Sequence, residues 1–259
     1  MADRDPREEF NRSIWDVNQA ADSAVIRPVA DVYRTVAPRP VRSGVTNVFR
    51  NLGEPWSFVN NILQGNPGRA ARNLGRLLVN STIGIGGLFD VASEIGIEPA
   101  PEDFAQTLAV WGVGDGGYQV LPLFGPTTAR GTVGTIVDFL ANPTTLFLDR
   151  VANLTTLELW GIRGFDIVNS RANATETGVD AFLESSADPY AAARSAFFER
   201  REAEILNYDT AGFAGNDENV ESSEDEAFEA ALEELEADDE FPAAPAPEED
   251  EFPADPGPE

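Results

Sequence analysis

Carboxylates, hydroxyls and arginine are the reactive side chains of this 259-residue chain: there is no His and no Cys, and all 18 basic residues are Arg. That composition excludes a Ser-His-Asp triad, a Cys nucleophile, a disulfide framework, a zinc finger, Schiff-base chemistry and a P-loop lysine. Asp90, Glu94, Asp103, Asp115 and Asp138 flank an apolar middle segment, and two of them could form an acid/base pair of glycosidase type. No spacing singles out a pair, and helix capping or surface roles account for the same residues. Arg69, Arg72 and Arg76 fall at i, i+3, i+7, on one face of a helix. Two uses stay open for them: a solvated face, or contact with lipid phosphates, which a guanidinium matches bidentately. Gly112-Val113-Gly114-Asp115-Gly116-Gly117 resembles GxGxxG on paper, but the pattern predicts neither a strand before it nor a helix after it. No cofactor-binding or metal-ligating motif stands out.

The elements that would carry these residues read as helices. Phe10, Ile14, Val17, Ala21 and Val25 recur on one face of an amphipathic helix, which Pro28 should kink or end. Pro55, Pro67, Pro101, Pro143 and Pro189 each precede an apolar-periodic run, so each is expected near a helix start. Asn66 and Asp188 are expected N-caps, because their side-chain oxygens can accept the orphan N–H groups of the first turn. The run from Pro143 through Leu146, Arg150, Leu154 and Leu157 reads as one segment. Strand alternation is scarce, and the predicted fold class is all-α.

Charge divides the chain into two parts. Residues 209–259 hold 20 acidic and no basic residues, and the tail repeats Glu240-Phe241-Pro242-Ala243 as Glu251-Phe252-Pro253-Ala254. So few apolar groups cannot offset an ordering entropy of about 1–2 kcal/mol per residue, so the tail is expected to be disordered apart from one short helix over 225–236. It reads as a solvating tail or as a docking segment built on the repeated Phe-Pro. The expected division is a helical domain over 1–208 and an acidic Pro/Glu-rich tail over 209–259. The net charge of −27 argues against nucleic acid as a partner. The first residues lack the apolar stretch of a secretory signal, and no run of apolar residues is long enough to span a bilayer.

The middle is unusually apolar. Leu77–Phe89 carries no charge, and between Phe104 and Ala129 the one charged side chain is Asp115. Gly and Pro break helix there too often for a membrane span. The stretch is either core-filling loop or part of a protein lying in lipid at an interface.

In order along the chain, several motifs resemble the MlaA/VacJ family of outer-membrane phospholipid-trafficking lipoproteins. They begin with Asp5-Pro6-Arg7-Glu8-Glu9-Phe10-Asn11-Arg12 and continue through Arg27-Pro28-Val29-Ala30 and Asn51-Leu52-Gly53-Glu54-Pro55. Leu63-Gln64-Gly65-Asn66-Pro67 and Asn80-Ser81-Thr82-Ile83-Gly84-Ile85-Gly86-Gly87-Leu88-Phe89-Asp90 follow. The series ends with Trp111-Gly112-Val113-Gly114, Leu121-Pro122-Leu123-Phe124-Gly125-Pro126 and Ser186-Ala187-Asp188-Pro189-Tyr190. The resemblance covers about residues 5–206.

What the resemblance implies is a ring-like arrangement of amphipathic helices lying in the membrane interface around a passage for phospholipid. The expected location is the periplasmic side of the outer membrane. The expected partners are phospholipid, a trimeric outer-membrane porin and a soluble periplasmic lipid carrier. The expected role is retrograde phospholipid transport that maintains outer-membrane lipid asymmetry, without enzymatic chemistry. On this reading Arg69, Arg72, Arg76, Asn80 and Asp90 are candidates beside the head-group path, with Gly84, Gly86 and Gly87 as a flexible or tightly bent element or a plain helix end. Trp56, Trp111, Tyr118, Leu121 and Phe124 are candidates for the membrane interface, and core packing is the competing role for the aromatics. The family's acylated N-terminal Cys has no counterpart here, which fits either a chain whose native start lies further upstream or a member held without that anchor. Two other functions stay open: a structural envelope protein that binds porin without moving lipid, and a carboxylate-dependent envelope hydrolase.

Overall fold

A computed structural model of the chain describes residues 4–150 and 154–207. The acidic tail from 209, its short helix included, lies outside the described residues.

Helix α1 (Glu8–Ala21) runs through a π-helical turn (Asp22–Ile26) directly into α2 (Arg27–Val36). Pro28 neither ends nor breaks the run. Proline has no N–H to give and its ring crowds the carbonyl four residues back, and the widened turn just before it absorbs both problems. The Arg27 N–H accordingly bonds the Asp22 carbonyl, five residues back.

Helix α3 (Arg39–Leu63) carries Pro55 in its interior, so the expected helix start at Pro55 is corrected. The chain stops α3 with Gly65 in the left-handed region, φ +77°. Gly65 N–H bonds Ile62 O at 3.0 Å and Asn66 N–H bonds Asn61 O at 2.8 Å, the two hydrogen bonds of a Schellman stop. Pro67 then opens α4 (Pro67–Thr82), whose missing N–H costs nothing at a helix start. Asn66 sits at the cap position, but its side chain makes no capping hydrogen bond, contrary to expectation. The side-chain bonds Asn61–Asn73, Glu54–Arg76 and Asn51–Ser81 run in opposite directions along the two helices, so α3 and α4 form an antiparallel hairpin.

One turn of helix, α5 (Val91–Glu94), precedes α6 (Phe104–Val110), which is closed by a capping box of Asp103 and Gln106. The Gly-rich middle then forms a small antiparallel hairpin, which the helical reading did not anticipate: β1 (Tyr118–Leu121) and β2 (Gly125–Thr128), with Tyr118 opposite Thr128 and Leu121 opposite Gly125. Helices α7 (Ala129–Ala141), α8 (Pro143–Arg150), α9 (Thr156–Glu176), α10 (Val179–Ser185) and α11 (Pro189–Ile205) follow. The single segment expected from Pro143 to Leu157 is thus divided between α8 and α9. Asp188 caps α11 as predicted, accepting the Ala191 N–H at 3.1 Å.

Contacts between elements pass from α1 to the hairpin, to α11, α6, α3, α9, α2 and back to α1, closing a circuit. The two chain ends of the described part meet at a pair of motifs. Asp5 accepts from Asn11, Tyr190 and Arg194, and the Arg12 guanidinium pairs with both oxygens of Asp188. Beneath them lies a small aromatic core of Tyr118, Val120 and Tyr190 against Ile14, Trp15, Phe197 and Phe198.

Elsewhere the interior is polar and the surface apolar. On α4 the buried side chains are Ala70, Asn73, Arg76 and Asn80, while Leu74 and Leu78 are exposed. On α7 the buried residue is Gly134, pressed on Ala105 of α6, while Val133, Ile136, Phe139 and Leu140 face outward. The apolar stripe of α1 and the π-helical turn is divided: Phe10, Val17 and Val25 are exposed while Ile14 packs on the aromatic core, and Asn11 is buried.

Candidate functional site

Residues expected along a head-group path meet in a polar cluster between α3, α4 and α5. Arg76, 2 % exposed, is its centre. Its Nε donates to Glu54 Oε1 at 2.8 Å, Nη2 to both oxygens of Asp90 at 2.9 and 2.8 Å, and Nη1 to Ser93 Oγ and Ile97 O at 2.9 and 2.6 Å. Five hydrogen bonds exhaust the donors of a guanidinium, so Arg76 has nothing left for an external phosphate. Asn80 donates to Asp90 Oδ1 at 2.9 Å and accepts the Ala92 N–H at 2.9 Å. Burial pushes the Asp90 carboxyl up, but hydrogen bonds from Ser93, Arg76 and Asn80 outweigh it and leave Asp90 below the usual carboxylate range. Glu54, deeper in, stays above its usual range because burial outweighs Asn73 and Arg76.

The three arginines do not form a free cationic face. Arg69 pairs with buried Glu102 at 3.0 Å and donates to Asn61, and Arg72 pairs with Glu98 at 3.0 Å nearer solvent. In place of one shared face, the triad makes four ion pairs: Arg69 with Glu102, Arg72 with Glu98, and Arg76 with both Glu54 and Asp90.

Gly84, Gly86 and Gly87 make a tight turn at the end of α4. Ile85, Gly86 and Gly87 all take positive φ, at 53°, 71° and 91°. A Cβ on Gly84 would lie 2.3 Å from Phe89 O, and one on Gly87 would lie 2.7 Å from the Asn51 side chain. The turn returns the chain so that Gly87 N–H bonds Asn80 O at 2.7 Å, and it delivers Asp90 onto Arg76.

Of the interface candidates, Trp56 and Tyr118 are core residues, 8 % and 0 % exposed. Trp56 Nε1 donates to Asp138 at 2.7 Å, and Tyr118 packs edge-on against Tyr190 and Phe197. Leu121 is half-buried in the hairpin. Trp111 and Phe124 do lie at the surface, 53 % and 65 % exposed. The surface also carries Leu78, Ile83, Ile85, Leu157 and Trp160, which the sequence did not single out as a group.

The candidate acids are occupied in the fold. Asp103 caps α6 and pairs with Arg201, Asp138 accepts from Trp56 and the Phe104 N–H, and Asp115 accepts the Gly117 N–H. Burial raises Asp138. Glu94 is exposed. Among the described residues no two of these five carboxylates share a hydrogen bond.

A cavity of about 200 Å³ opens between α3, α7, α8 and α9. Phe49, Leu52, Phe139, Leu159, Trp160 and Ile162 make it apolar, and Asn142, Thr145, Arg163 and Asp166 give it a polar side. Burial pushes Asp166 up, against the pull of Arg163. On α3, Arg50 is accessible to solvent, and desolvation pushes its guanidinium down, with Asp90 of the polar cluster countering that and Arg76 adding to it. Among the described residues Arg50 and Arg163 have no carboxylate within ion-pair distance. Sequence reasoning missed Arg50, Arg163 and Asp166. Their one signal is that Arg163 and Asp166 interrupt the apolar run Trp160-Gly161-Ile162-Arg163-Gly164-Phe165-Asp166-Ile167 at i, i+3.

The sequence profile of the MlaA lipoprotein family matches residues 3–204. A protein of Rickettsia felis is 35% identical over 202 residues, covering 78% of each chain. The intermembrane phospholipid transport system lipoprotein MlaA of Haemophilus influenzae is 32% identical over 205 residues, covering 78% of this chain and 79% of its own. A solved structure, from work on the structural basis for maintenance of bacterial outer membrane lipid asymmetry, matches with a TM-score of 0.67 at 35% identity. It covers 78% of this chain and 98% of the solved one.

Proposed function

Because the chain belongs to the MlaA lipoprotein family, we propose that it is the outer-membrane component of a phospholipid transport system. It takes phospholipid from the outer leaflet and passes it to a soluble periplasmic carrier, beside a trimeric porin, and so maintains lipid asymmetry. It performs no covalent chemistry.

The observation that carries this reading is the inverted polarity of the helices. A protein surrounded by water buries its large apolar side chains, and contiguous exposed apolar surface marks contact with lipid or a partner. Here Leu74, Leu78, Ile83, Ile136, Leu140 and Phe10 face outward, while Asn11, Asn61, Asn73, Arg76 and Glu102 are buried. No helix among the described residues is long and apolar enough to cross a membrane. Helices of this kind lie in the bilayer plane with their apolar faces in the acyl region. The apolar cavity with Arg163 and Asp166 on its polar side suits a lipid whose tails and head group need different surroundings, and the Arg163 guanidinium, in no ion pair among the described residues, is available for phosphate.

The test is outer-leaflet phospholipid in the source bacterium with the gene deleted, then restored. Deletion is expected to raise it and restoration to clear it, with Arg163→Glu clearing poorly while folding normally. A surface free of phospholipid in both strains overturns the transport reading and favours a structural porin-binding role. Loss confined to one carboxylate, such as Asp138→Asn, with folding retained, would instead indicate a hydrolase.

A further inference from the structure

Glycine inside a helix destabilises it relative to alanine, so a helix-interior glycine calls for a reason. Gly44 of α3 and Gly134 of α7 have one. A Cβ would lie 2.7 Å from Leu88 Cδ1 at the first and 2.5 Å from Ala105 Cβ at the second, so each lets two elements close on one another. Gly53 is different. It lies in the interior of α3, and a Cβ there would meet nothing within 4 Å. Its backbone lies outside the left-handed region, so conformational freedom is not what the position requires.

What Gly53 faces is open space, for it is the one glycine among the described residues that lines the cavity between α3, α7, α8 and α9. Phe49 and Leu52 stand beside it on α3, and Phe139 of α7 and Trp160 of α9, with ring centroids 5.8 Å apart, add aromatic surface. These walls are almost wholly hydrocarbon, so the gain they offer an occupant is burial of apolar surface. An apolar cavity of about 150 Å³ takes one benzene ring, so one of about 200 Å³ takes roughly eight carbons. That is a stretch of one acyl chain, not two chains side by side.

We propose that Gly53 sets the specificity of this cavity, its missing side chain leaving room for a single unbranched acyl chain laid against α3. The inference rests on the transport reading above, which puts lipid in the cavity, and adds how many chains it takes and which residue decides it. A fatty acid and one tail of a diacyl lipid present the same chain, and in the second case the other tail stays outside.

Calorimetry with dodecanoic acid tests this on the full chain held in an amphipathic polymer, because a single-tailed detergent would itself fill the cavity. The parent is expected to bind one equivalent. Gly53→Ala should weaken binding about four-fold, the burial of one displaced methylene, and Gly53→Leu on the order of a hundred-fold. Both variants should melt at or above the parent's temperature, since a helix former replaces glycine where no neighbour stands in its way. A glycine needed only by the fold predicts the reverse, lower melting temperatures with binding unchanged. That result overturns the proposal, as does a parent that binds no dodecanoic acid. 2-Hexyldecanoic acid, with two chains on one carboxyl, should bind more weakly than dodecanoic acid although it is more apolar, and tighter binding overturns the one-chain limit. Competition by didodecanoyl phosphatidylcholine supports a tail of the transported lipid as the source, and its absence overturns that source in favour of a single-chain lipid. Outer-leaflet clearance separates the two readings. Clearance by a parent that binds no chain overturns this site alone, whereas chain binding by a parent that does not clear overturns transport alone.

Discussion

The three arginines at i, i+3, i+7 have three different environments, and their energetic roles differ accordingly. Arg76 is buried with Glu54 and Asp90, and removing one member of a buried charge cluster strands the others in low dielectric. Arg76→Met is expected to destabilise by about 3–5 kcal/mol in denaturant melts. Arg72→Met, which loses a solvent-facing pair with Glu98, should cost under about 1 kcal/mol. Equal costs would contradict the buried assignment of Arg76. The Arg12–Asp188 pair predicts a pH dependence. Arg12, together with the Ala191 N–H, lowers the Asp188 carboxyl to about 2. A carboxyl whose folded pKa lies below its unfolded value favours the fold above the unfolded value, about 3.9, and that contribution fades as pH falls toward 2. In Arg12→Gln the Asp188 titration, followed by carboxyl-carbon NMR, should move up, and the low-pH loss of melting temperature should shrink. An unmoved midpoint would mean that the cap alone sets it.

Glycine at the end of α4 is required by two separate constraints, and substitution can tell them apart. Gly86 and Gly87 both take positive φ, but only Gly87 has a neighbour, Asn51, where a Cβ would go. Gly86→Ala should cost about 1–2 kcal/mol from the left-handed backbone alone. Gly87→Ala should cost clearly more and should disturb the Asn51–Ser81 bond, detectable as a larger fall in melting temperature. A similar logic explains Pro28, where a π-helical turn lets one helix continue past a proline that α-helical geometry would reject. The hairpin escaped a helical reading because its strands are four residues each and include Pro126, too short to show alternation.

Across the whole molecule, the many exposed apolar side chains make a prediction that depends on no single contact. In vesicles containing brominated lipid, variants retaining one Trp each should divide. Trp111 and Trp160 are exposed and should be quenched, while Trp56, under Asp138, should not. Quenching of Trp56 equal to that of Trp111 would mean that the polar-inside arrangement is wrong. Replacing Leu78 and Ile83 together by Glu should lower vesicle partitioning without lowering the melting temperature, because both side chains lack protein cover.

Composition, helix signals and ordered motifs were enough to exclude His, Cys and Lys chemistry, to expect helices at Pro67, Pro143 and Pro189, and to indicate the family. These follow from local rules: a residue type is present or absent, and a cap or a proline acts within one turn. Which side of each helix meets protein was decided only in three dimensions. The period that aligned Phe10, Val17 and Val25 defines a face, but an apolar face can meet a core or lipid with the same spacing. The grouping of Arg76 with Glu54 and Asp90, and of Phe49 with Arg163 and Asp166 around one cavity, joins residues far apart in the chain. Such pairings depend on how α3, α4 and α9 pack, and no periodicity within one helix encodes its partner. The tertiary structure alone therefore set which charges are neutralised inside the fold.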